Sequence, residues 1–210
     1  RTLGVKGGSR NYAKNLISQF EDREDVEVIK FGEKSDFLFE KIQNTPLRLI
    51  WENVSLPFEI QEQNIDIFHG LKNSVPLLLG TPKVVTVHDL GPVMDFDNSL
   101  KETTYAHIWK YYVKSADRII AISKSTKNDL QHYWNIPEMK IDVVYHGSKY
   151  EKIESRSHKI QKYDITRNDN VILSVGTVKP RKNYQNLMKA FDLAANQVDA
   201  KLFVAGKHGN

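Results

Sequence analysis

Residues 171–191 read VILSVGTVKPRKNYQNLMKAF, and the pattern of this stretch is the clearest indication of the fold class. It begins with a short apolar run, continues through a polar turn that contains glycine and proline, and ends with apolar residues at helical spacing. Nearly continuous apolar runs of this length are typical of strands buried on both faces, as in a parallel sheet covered by helices. The stretch therefore predicts a strand, a loop and a helix, in that order.

The same alternation extends over most of the chain. Seven short apolar runs are predicted strands: residues 26–31, 65–68, 84–87, 118–122, 141–145, 171–175 and 201–205. Four helices are predicted between them: one capped by Ser9, one with an aromatic stripe over residues 105–116 behind a Ser99–Glu102 capping box, a shorter one that follows Ser123, and one over residues 183–196. Strands and helices in this order predict an α/β fold with Rossmann-like parallel sheets and right-handed crossovers.

The length of 210 residues lies between one domain and two, at about 150 residues per domain. The polar, charged stretch 151–167 is typical of a linker. We therefore expect a first domain over residues 1–150 and the start of a second over residues 168–210. The opening residues 1–4 resemble the end of a strand, so we expect the first strand to be largely missing and the second domain to be incomplete.

Composition and charge exclude several classes of function. The chain has no cysteine, which excludes a disulfide framework, thiolate metal sites and a cysteine nucleophile. Thirty Lys and Arg against 26 Asp and Glu give a net charge of +4, spread along the chain, so we expect no nucleic-acid partner. The basic stretch 149–162 is either a solvated linker or a patch that meets phosphate. No apolar run approaches the roughly 20 residues of a membrane span.

Ligands of open α/β sheets bind beyond the carboxyl ends of the strands. Glycines and polar residues gather at these positions: Gly7 and Gly8, His69, His88 and Asp89, Ser123, His146, Gly176 and Thr177, Arg181 and Lys182, and Gly206. The loop at Gly7 and Gly8 precedes a helix and is either an anion site or a tight turn. His88 directly follows a buried strand, where it either contacts a substrate or has only a structural role. Asp89 is a candidate cap of the turn.

The most informative charge cluster is Arg181 and Lys182. Two cations next to a helix N-terminus are disfavoured by the helix dipole, which suggests that an anion lies between them and the helix. Arg and Lys that face a diphosphate would neutralise a departing nucleotide.

Seven segments in order resemble the GT-B glycosyltransferases of family 4. They are the glycine loop with Tyr12 and Asn15-Leu16, then residues 66–69, 85–90, 116–123 and 136–141, then residues 175–183 with Leu187 and Ala190-Phe191, and finally residues 204–207. Together they extend over nearly the whole chain.

This resemblance implies a retaining, metal-independent glycosyltransferase without a cofactor, whose donor is a nucleotide-diphosphate sugar. The resemblance to bacterial mannosyl- and hexosyltransferases of polysaccharide synthesis favours GDP-mannose or a UDP-hexose, with a saccharide or lipid-linked saccharide as acceptor. It implies a cytoplasmic protein with a possible peripheral contact to the membrane face.

The resemblance also implies a role for each candidate residue. His88 contacts the transferred sugar as the catalytic residue; Arg181, Lys182, Gly7 and Gly8 meet the diphosphate; Gly176, Thr177 and Gly206 line the nucleotide side; His69, Asp89 and Ser123 are candidates on the acceptor side. Thr177 departs from the family pattern, since many relatives carry Arg there. The paired glutamates of the family are absent, so we expect the 210-residue chain alone to be inactive.

Two alternative functions stay open. A GT-B nucleotide-sugar epimerase would need carboxylates for proton transfer at the strand ends, where Asp89 is the candidate. A non-catalytic module that binds sugar or nucleic acid would carry aromatic residues between basic ones on an exposed sheet. The triplet Asp95-Phe96-Asp97 resembles a metal-binding pair of GT-A enzymes, but it follows a proline in an apparent loop, and we expect no metal site.

Overall fold

A computed structural model describes residues 8–31, 49–94, 100–147, 163, 165–166, 168–178 and 180–206. The chain divides into two compact units, Arg1–Lys149 and Tyr150–Asn210. Several predicted features lie outside the described residues: Gly7, the cap at Ser99, the triplet at 95–97, most of the stretch 151–167, and the side chain of Arg181.

The first unit contains a four-stranded parallel sheet with the order β1-β2-β3-β4. Its strands are β1 (Phe68–Gly70), β2 (Lys83–Val87), β3 (Arg118–Ala121) and β4 (Ile141–Val143). Each strand pairs in parallel with the next one along the chain. All four carboxyl ends therefore lie at the same edge of the sheet.

Among the described residues of this unit, five helices accompany the sheet. They are α1 (Gly8–Glu21), α2 (Leu56–Glu62), which follows a wide helical turn at Trp51–Ser55, α3 (Gly91–Met94), α4 (Leu100–Ser115) and α5 (Lys124–Trp134). The start of α5 is fixed by Ser123, whose Oγ accepts a hydrogen bond of 3.0 Å from the backbone N–H of Thr126. The helix ends at Asn135 in the left-handed conformation, with φ of 52°. The helix predicted after Ser123 is thus confirmed, and the structure adds that Ser123 caps it.

The core of the first unit forms where α4 and α5 pack on β2 and β3. Its buried side chains include Val85, Val87, Val113, Ile119, Leu130 and Trp134. Three of the five residues of β2 are fully buried, which confirms that the apolar run at 84–87 is a strand covered on both faces. A smaller cluster forms around Leu56, Ile60 and Leu79.

The end of β1 lies against the loop that follows it. A Cβ placed on Gly70 would overlap the backbone carbonyl oxygen of Ser74 and lie 2.7 Å from Cγ1 of Val75. Only glycine allows the chain to return this closely, and this return brings residues 71–75 back to the end of β2.

The second unit is a parallel pair of strands joined by a helix. β5 (Asn170–Val175) pairs with β6 (Ala200–Ala205), and α6 (Tyr184–Ala194) lies between them in sequence after a 3-10 turn at Pro180–Lys182. Parallel sheets with helical connections in both units confirm the predicted α/β class. The expected burial of β5 on both faces is wrong for the described residues, since five of its six positions are exposed.

Three details differ from the sequence prediction. Residues 26–31 form no strand, because no strand of the described chain pairs with them. The strand expected at 65–68 forms at Phe68–Gly70, so His69 lies within β1 and does not follow it. Helix α1 begins at Gly8, so Ser9 lies inside the helix instead of capping it.

Candidate functional site

His88 lies at the carboxyl end of β2, and the loop after β1 holds its ring. The Nε2 atom lies 3.0 Å from the carbonyl oxygen of Leu71. A carbonyl oxygen only accepts hydrogen bonds, so Nε2 carries the proton and donates it. In the neutral ring the other nitrogen, Nδ1, then has a free lone pair and can accept a hydrogen bond from a ligand.

The surroundings of His88 favour the neutral ring. Burial is the largest cause that lowers its pKa; the nearby His146 and Lys72 lower it further. The hydrogen bond to Leu71 and the charge of Asp89 act in the opposite direction, and the net pKa remains below the usual value. The imidazole is therefore mostly neutral at pH 7.

Asn73 fixes the backbone of the segment that carries His88. Its side-chain oxygen accepts a hydrogen bond of 3.2 Å from the N–H of His88, and its Nδ2 donates to the carbonyl oxygen of Asp89 at 3.2 Å. Its own N–H donates to the carbonyl oxygen of Thr86 at 3.0 Å. Asn73 has a φ of 51° and is only 2% exposed. Asn73 has no sequence signal that marks it as part of a site, because an asparagine in a loop is most often only a turn residue.

Two further aromatic side chains surround His88. The ring of Tyr12, from the second turn of α1, stacks on His146 with centroids 4.5 Å apart and planes 14° apart. His88 meets Tyr12 edge-on at 5.0 Å and His146 at 5.4 Å. Burial also lowers the pKa of His146. In the sequence His146 was recognised at a strand end and Tyr12 in a matching segment, but neither received a role.

His69 is joined to this cluster through a buried hydroxyl. Its Nε2 lies 2.9 Å from Oγ1 of Thr86, and Oγ1 lies 3.1 Å from the hydroxyl of Tyr12. Burial lowers the pKa of His69 to about 4, so it is neutral at physiological pH. This candidate for the acceptor side therefore makes a hydrogen bond within the protein.

Asp89 and Ser123, the other candidates on the acceptor side, also have partners within the fold. The Oδ1 atom of Asp89 accepts a hydrogen bond of 3.1 Å from the N–H of Gly91 at the start of α3. Ser123 caps α5. Gly8 is the exposed first residue of α1.

In the second unit, the ends of β5 and β6 meet at two glycines. The N–H of Gly176 donates to the carbonyl oxygen of Ala205 at 2.9 Å. A Cβ on Gly206 would overlap the carbonyl of Gly176, and a Cβ on Gly176 would lie 2.9 Å from the hydroxyl of Tyr184 and 3.9 Å from Cε of Lys182. The structure thus brings Gly176, Gly206 and Lys182 together at the carboxyl edge of this sheet.

Lys182 ends the 3-10 turn that precedes α6. The next residue, Asn183, is left-handed with a φ of 53°, and its N–H donates to the carbonyl oxygen of Pro180 at 2.9 Å. Lys182 is exposed, as is Thr177 after β5. The ammonium group of Lys182 is therefore accessible to an anion that approaches the carboxyl edge of this sheet.

Neither a metal-binding cluster nor a membrane-spanning helix is present in the described part of the chain. No group of three His, Asp or Glu side chains there is placed to hold a metal ion. None of the helices described has both the length and the apolar character needed to cross a membrane.

Comparison with known protein families decides the assignment. Residues 6–151 match the sequence profile of Glycosyltransferase Family 4, which is more than half of the chain. The chain belongs to glycosyltransferase family 4. Residues 155–210 match the profile of Glycosyl transferases group 1. The resemblance inferred from the seven segments is thereby confirmed for both parts of the chain.

Curated relatives of this family-4 glycosyltransferase include two bacterial enzymes. The chain is 26% identical over 117 residues to the O-antigen chain mannosyltransferase RfbU of Salmonella typhimurium. The aligned region covers 56% of the chain and 30% of the relative. It is 28% identical over 115 residues to the N-acetylgalactosamine-N,N'-diacetylbacillosaminyl-diphospho-undecaprenol 4-alpha-N-acetylgalactosaminyltransferase of Campylobacter jejuni, covering 55% of the chain and 30% of the relative. The match thus spans less than a third of the length of either relative.

Among solved structures, a glycosyltransferase from Rickettsia africae matches 95% of the chain and 58% of its own length. The TM-score is 0.44 and the sequence identity 17%.

Proposed function

We propose that this family-4 glycosyltransferase transfers a hexose of the mannose or glucose type from GDP-mannose or a UDP-hexose to a saccharide or lipid-linked saccharide. The transfer retains the anomeric configuration and needs no metal ion. The observation that carries the proposal is the neutral imidazole of His88, with Nε2 bound to Leu71 and Nδ1 free, at the carboxyl edge of the sheet of a chain from this family.

His88 is proposed to contact the transferred sugar. Its Nδ1 atom accepts a hydrogen bond from a sugar hydroxyl, which orients the ring of the sugar. As the anomeric C–O bond breaks, positive charge develops on the sugar, and a neutral imidazole does not oppose this charge as an imidazolium would. The low pKa of His88 supports this role.

The residues at the carboxyl edge of the second sheet are proposed to hold the diphosphate. Lys182 supplies a positive charge, joined by Arg181 from the same turn, while Gly176 and Gly206 leave room for a close approach of the nucleotide. As the anomeric C–O bond breaks, negative charge develops on the diphosphate, and the fixed cations stabilise it. The acceptor oxygen forms the new C–O bond on the same face, and its proton passes to the departing phosphate oxygen.

The nature of the acceptor is supported by the relatives. One is named for the O-antigen chain and the other for a diphospho-undecaprenol acceptor, so saccharides and lipid-linked saccharides are the first to test. We place the reaction in the cytoplasm at the membrane face. The net charge of +4 supports contact with anionic headgroups there.

A panel of nucleotide sugars tests the proposal. The protein is expressed from its complete coding sequence and incubated with GDP- and UDP-hexoses, with and without saccharide and lipid-linked acceptors. We expect release of the nucleotide that depends on both donor and acceptor, together with a product of retained configuration by NMR. Formation of an epimer of the donor without any acceptor would contradict transfer and favour an epimerase.

A further inference from the structure

Tyr12 contacts both histidines at the edge of the first sheet. Its ring stacks on His146 and meets His88 edge-on, while the two imidazoles lie 5.4 Å apart. We propose that Tyr12 is a positioning residue for His88: it holds the imidazoles of His88 and His146 in one cluster and shields the ring of His88 from water. Its effect on turnover rests on the proposed function, whereas its effect on the His88 ring does not.

The hydroxyl of Tyr12 anchors the cluster to the sheet. It lies 3.1 Å from Oγ1 of Thr86, a residue that is 0% exposed and shares this oxygen with Nε2 of His69. A hydrogen bond to a buried hydroxyl has no competing water, so the tyrosine ring has little freedom to turn away. The position of α1 is thereby coupled to the end of β2, which carries His88.

Tyr12 and the Leu71 carbonyl constrain different parts of His88. The hydrogen bond from Nε2 to Leu71 determines which nitrogen carries the proton. The edge-on contact with Tyr12 covers the ring itself and limits the water that a charged imidazolium needs. Together they present Nδ1 of a neutral ring as an acceptor.

Charged and titratable groups around His88 act on the same equilibrium. His146 and Lys72 disfavour its protonation, whereas the carboxylate of Asp89 and the carbonyl oxygen of Leu71 favour it. Burial outweighs all of these, and part of that burial comes from the rings of Tyr12 and His146. Removing the tyrosine ring should therefore make His88 easier to protonate.

NMR titration of the 15N-labelled 210-residue chain tests this without any need for activity. At pH 7 we expect His88 to show a protonated Nε2 and a bare Nδ1. In Tyr12→Leu the titration midpoint of His88 should rise by about 0.5–1 pH unit, since water reaches the ring. In Tyr12→Phe, which keeps the ring and loses the hydroxyl, we expect a rise of less than half that size.

Tyr111→Leu is the matched control, because Tyr111 lies on α4 and is 64% exposed. It should leave the signals of His88 and His146 unchanged. A folded Tyr12→Leu chain whose His88 midpoint moves by less than about 0.2 pH unit overturns the proposal. If Tyr12→Leu does not fold, Tyr12→Met, which also removes the aromatic ring but fills more of its volume, takes its place with the same expected rise and the same overturning result.

Turnover of the protein from the complete coding sequence separates the two proposals. Tyr12→Leu should lower kcat about tenfold and leave KM for the donor within about twofold, whereas Tyr111→Leu should change neither. If the wild-type protein transfers no sugar while the NMR result holds, the proposed function fails and the positioning of His88 stands. If transfer occurs and the Tyr12→Leu midpoint does not move, the positioning role fails alone.

Discussion

His69 shows how strongly burial sets the chemistry of a single residue in this protein. Its pKa is lowered to about 4, whereas the unfolded chain has a value near 6.5. Between these two values the unfolded state binds a proton that the folded state does not. The contribution of the neutral His69 to stability is therefore fully present above about pH 6.5 and is lost as the pH falls towards 4.

We expect this residue to lower the free energy of unfolding by roughly 2–3 kcal/mol between pH 7 and pH 4. His69→Gln keeps a side-chain amide for Thr86 and removes the titration, so its stability should depend less steeply on pH in this window. Urea unfolding of wild type and variant at pH 7 and pH 4.5 measures the difference.

His132→Gln is the control, because His132 is an exposed residue near the end of α5. It should follow the wild-type pH dependence. Equal slopes for wild type, His69→Gln and His132→Gln would show that His69 is not the buried, neutral group described here.

The residues of the site differ in how far the sequence reveals them. The position of His88 at the end of a strand could be predicted, since it directly follows a buried apolar run, whereas its role stays a prediction. The roles of Tyr12, His146 and Asn73 could not be predicted. The two rings meet His88 across 58 or more residues of sequence, and Asn73 is a left-handed residue in a loop, so none of the three leaves a local sequence pattern. Sequence order indicates which residues lie at strand ends, but not which side chains there touch one another.

At the scale of the element, α5 offers the clearest link from sequence to energy. Ser123 was a candidate on the acceptor side, and the structure shows that its Oγ caps the helix through the N–H of Thr126. Ser123→Ala should lower the free energy of unfolding by about 1 kcal/mol, and Ser123→Asp should largely retain it.

Chemical denaturation monitored by circular dichroism measures these changes. Ser125→Ala serves as the control, since Ser125 is exposed within the first turn of α5 and makes no cap. A loss of stability as large in Ser125→Ala as in Ser123→Ala would contradict the capping role.

The bounds of most strands could be predicted from composition, whereas those that depend on a pairing partner could not. β2 to β6 lie within one or two residues of their predicted bounds, since their apolar runs end near glycine or polar residues. Residues 26–31 have the composition of a strand and form none, because a strand exists only through a partner, and none pairs with them in the described chain. β1 is displaced because its position depends on pairing Phe68 with Lys83, which composition does not reveal.

At the scale of the whole molecule, two independent divisions of the chain coincide. The compact units meet between residues 149 and 150, and the two family profiles meet between residues 151 and 155. The proposed roles follow the same division. His88, which is proposed to contact the sugar, lies in the first unit, and Lys182, which is proposed to hold the diphosphate, lies in the second.

This division predicts different effects of the two substitutions in the protein from the complete coding sequence. His88→Ala removes a contact to the sugar, so kcat should fall about 10- to 100-fold while the affinity for the nucleoside diphosphate stays within about twofold. Lys182→Ala removes a charge-assisted contact, so that affinity should fall about 10- to 100-fold by calorimetry. Since the lost contact is ionic, the difference between wild type and Lys182→Ala should shrink at high salt.

The matched controls are His132→Ala on α5 and Lys189→Ala on α6, both exposed and away from the strand ends. Neither should change kcat or the affinity for the nucleoside diphosphate beyond about twofold. The reverse pattern, in which His88→Ala abolishes binding of the nucleoside diphosphate and Lys182→Ala leaves it intact, would refute the assigned roles even if sugar transfer itself were observed. Measuring kcat and the affinity for the nucleoside diphosphate thus tests which residue meets the sugar and which meets the diphosphate, independently of whether the protein transfers sugar.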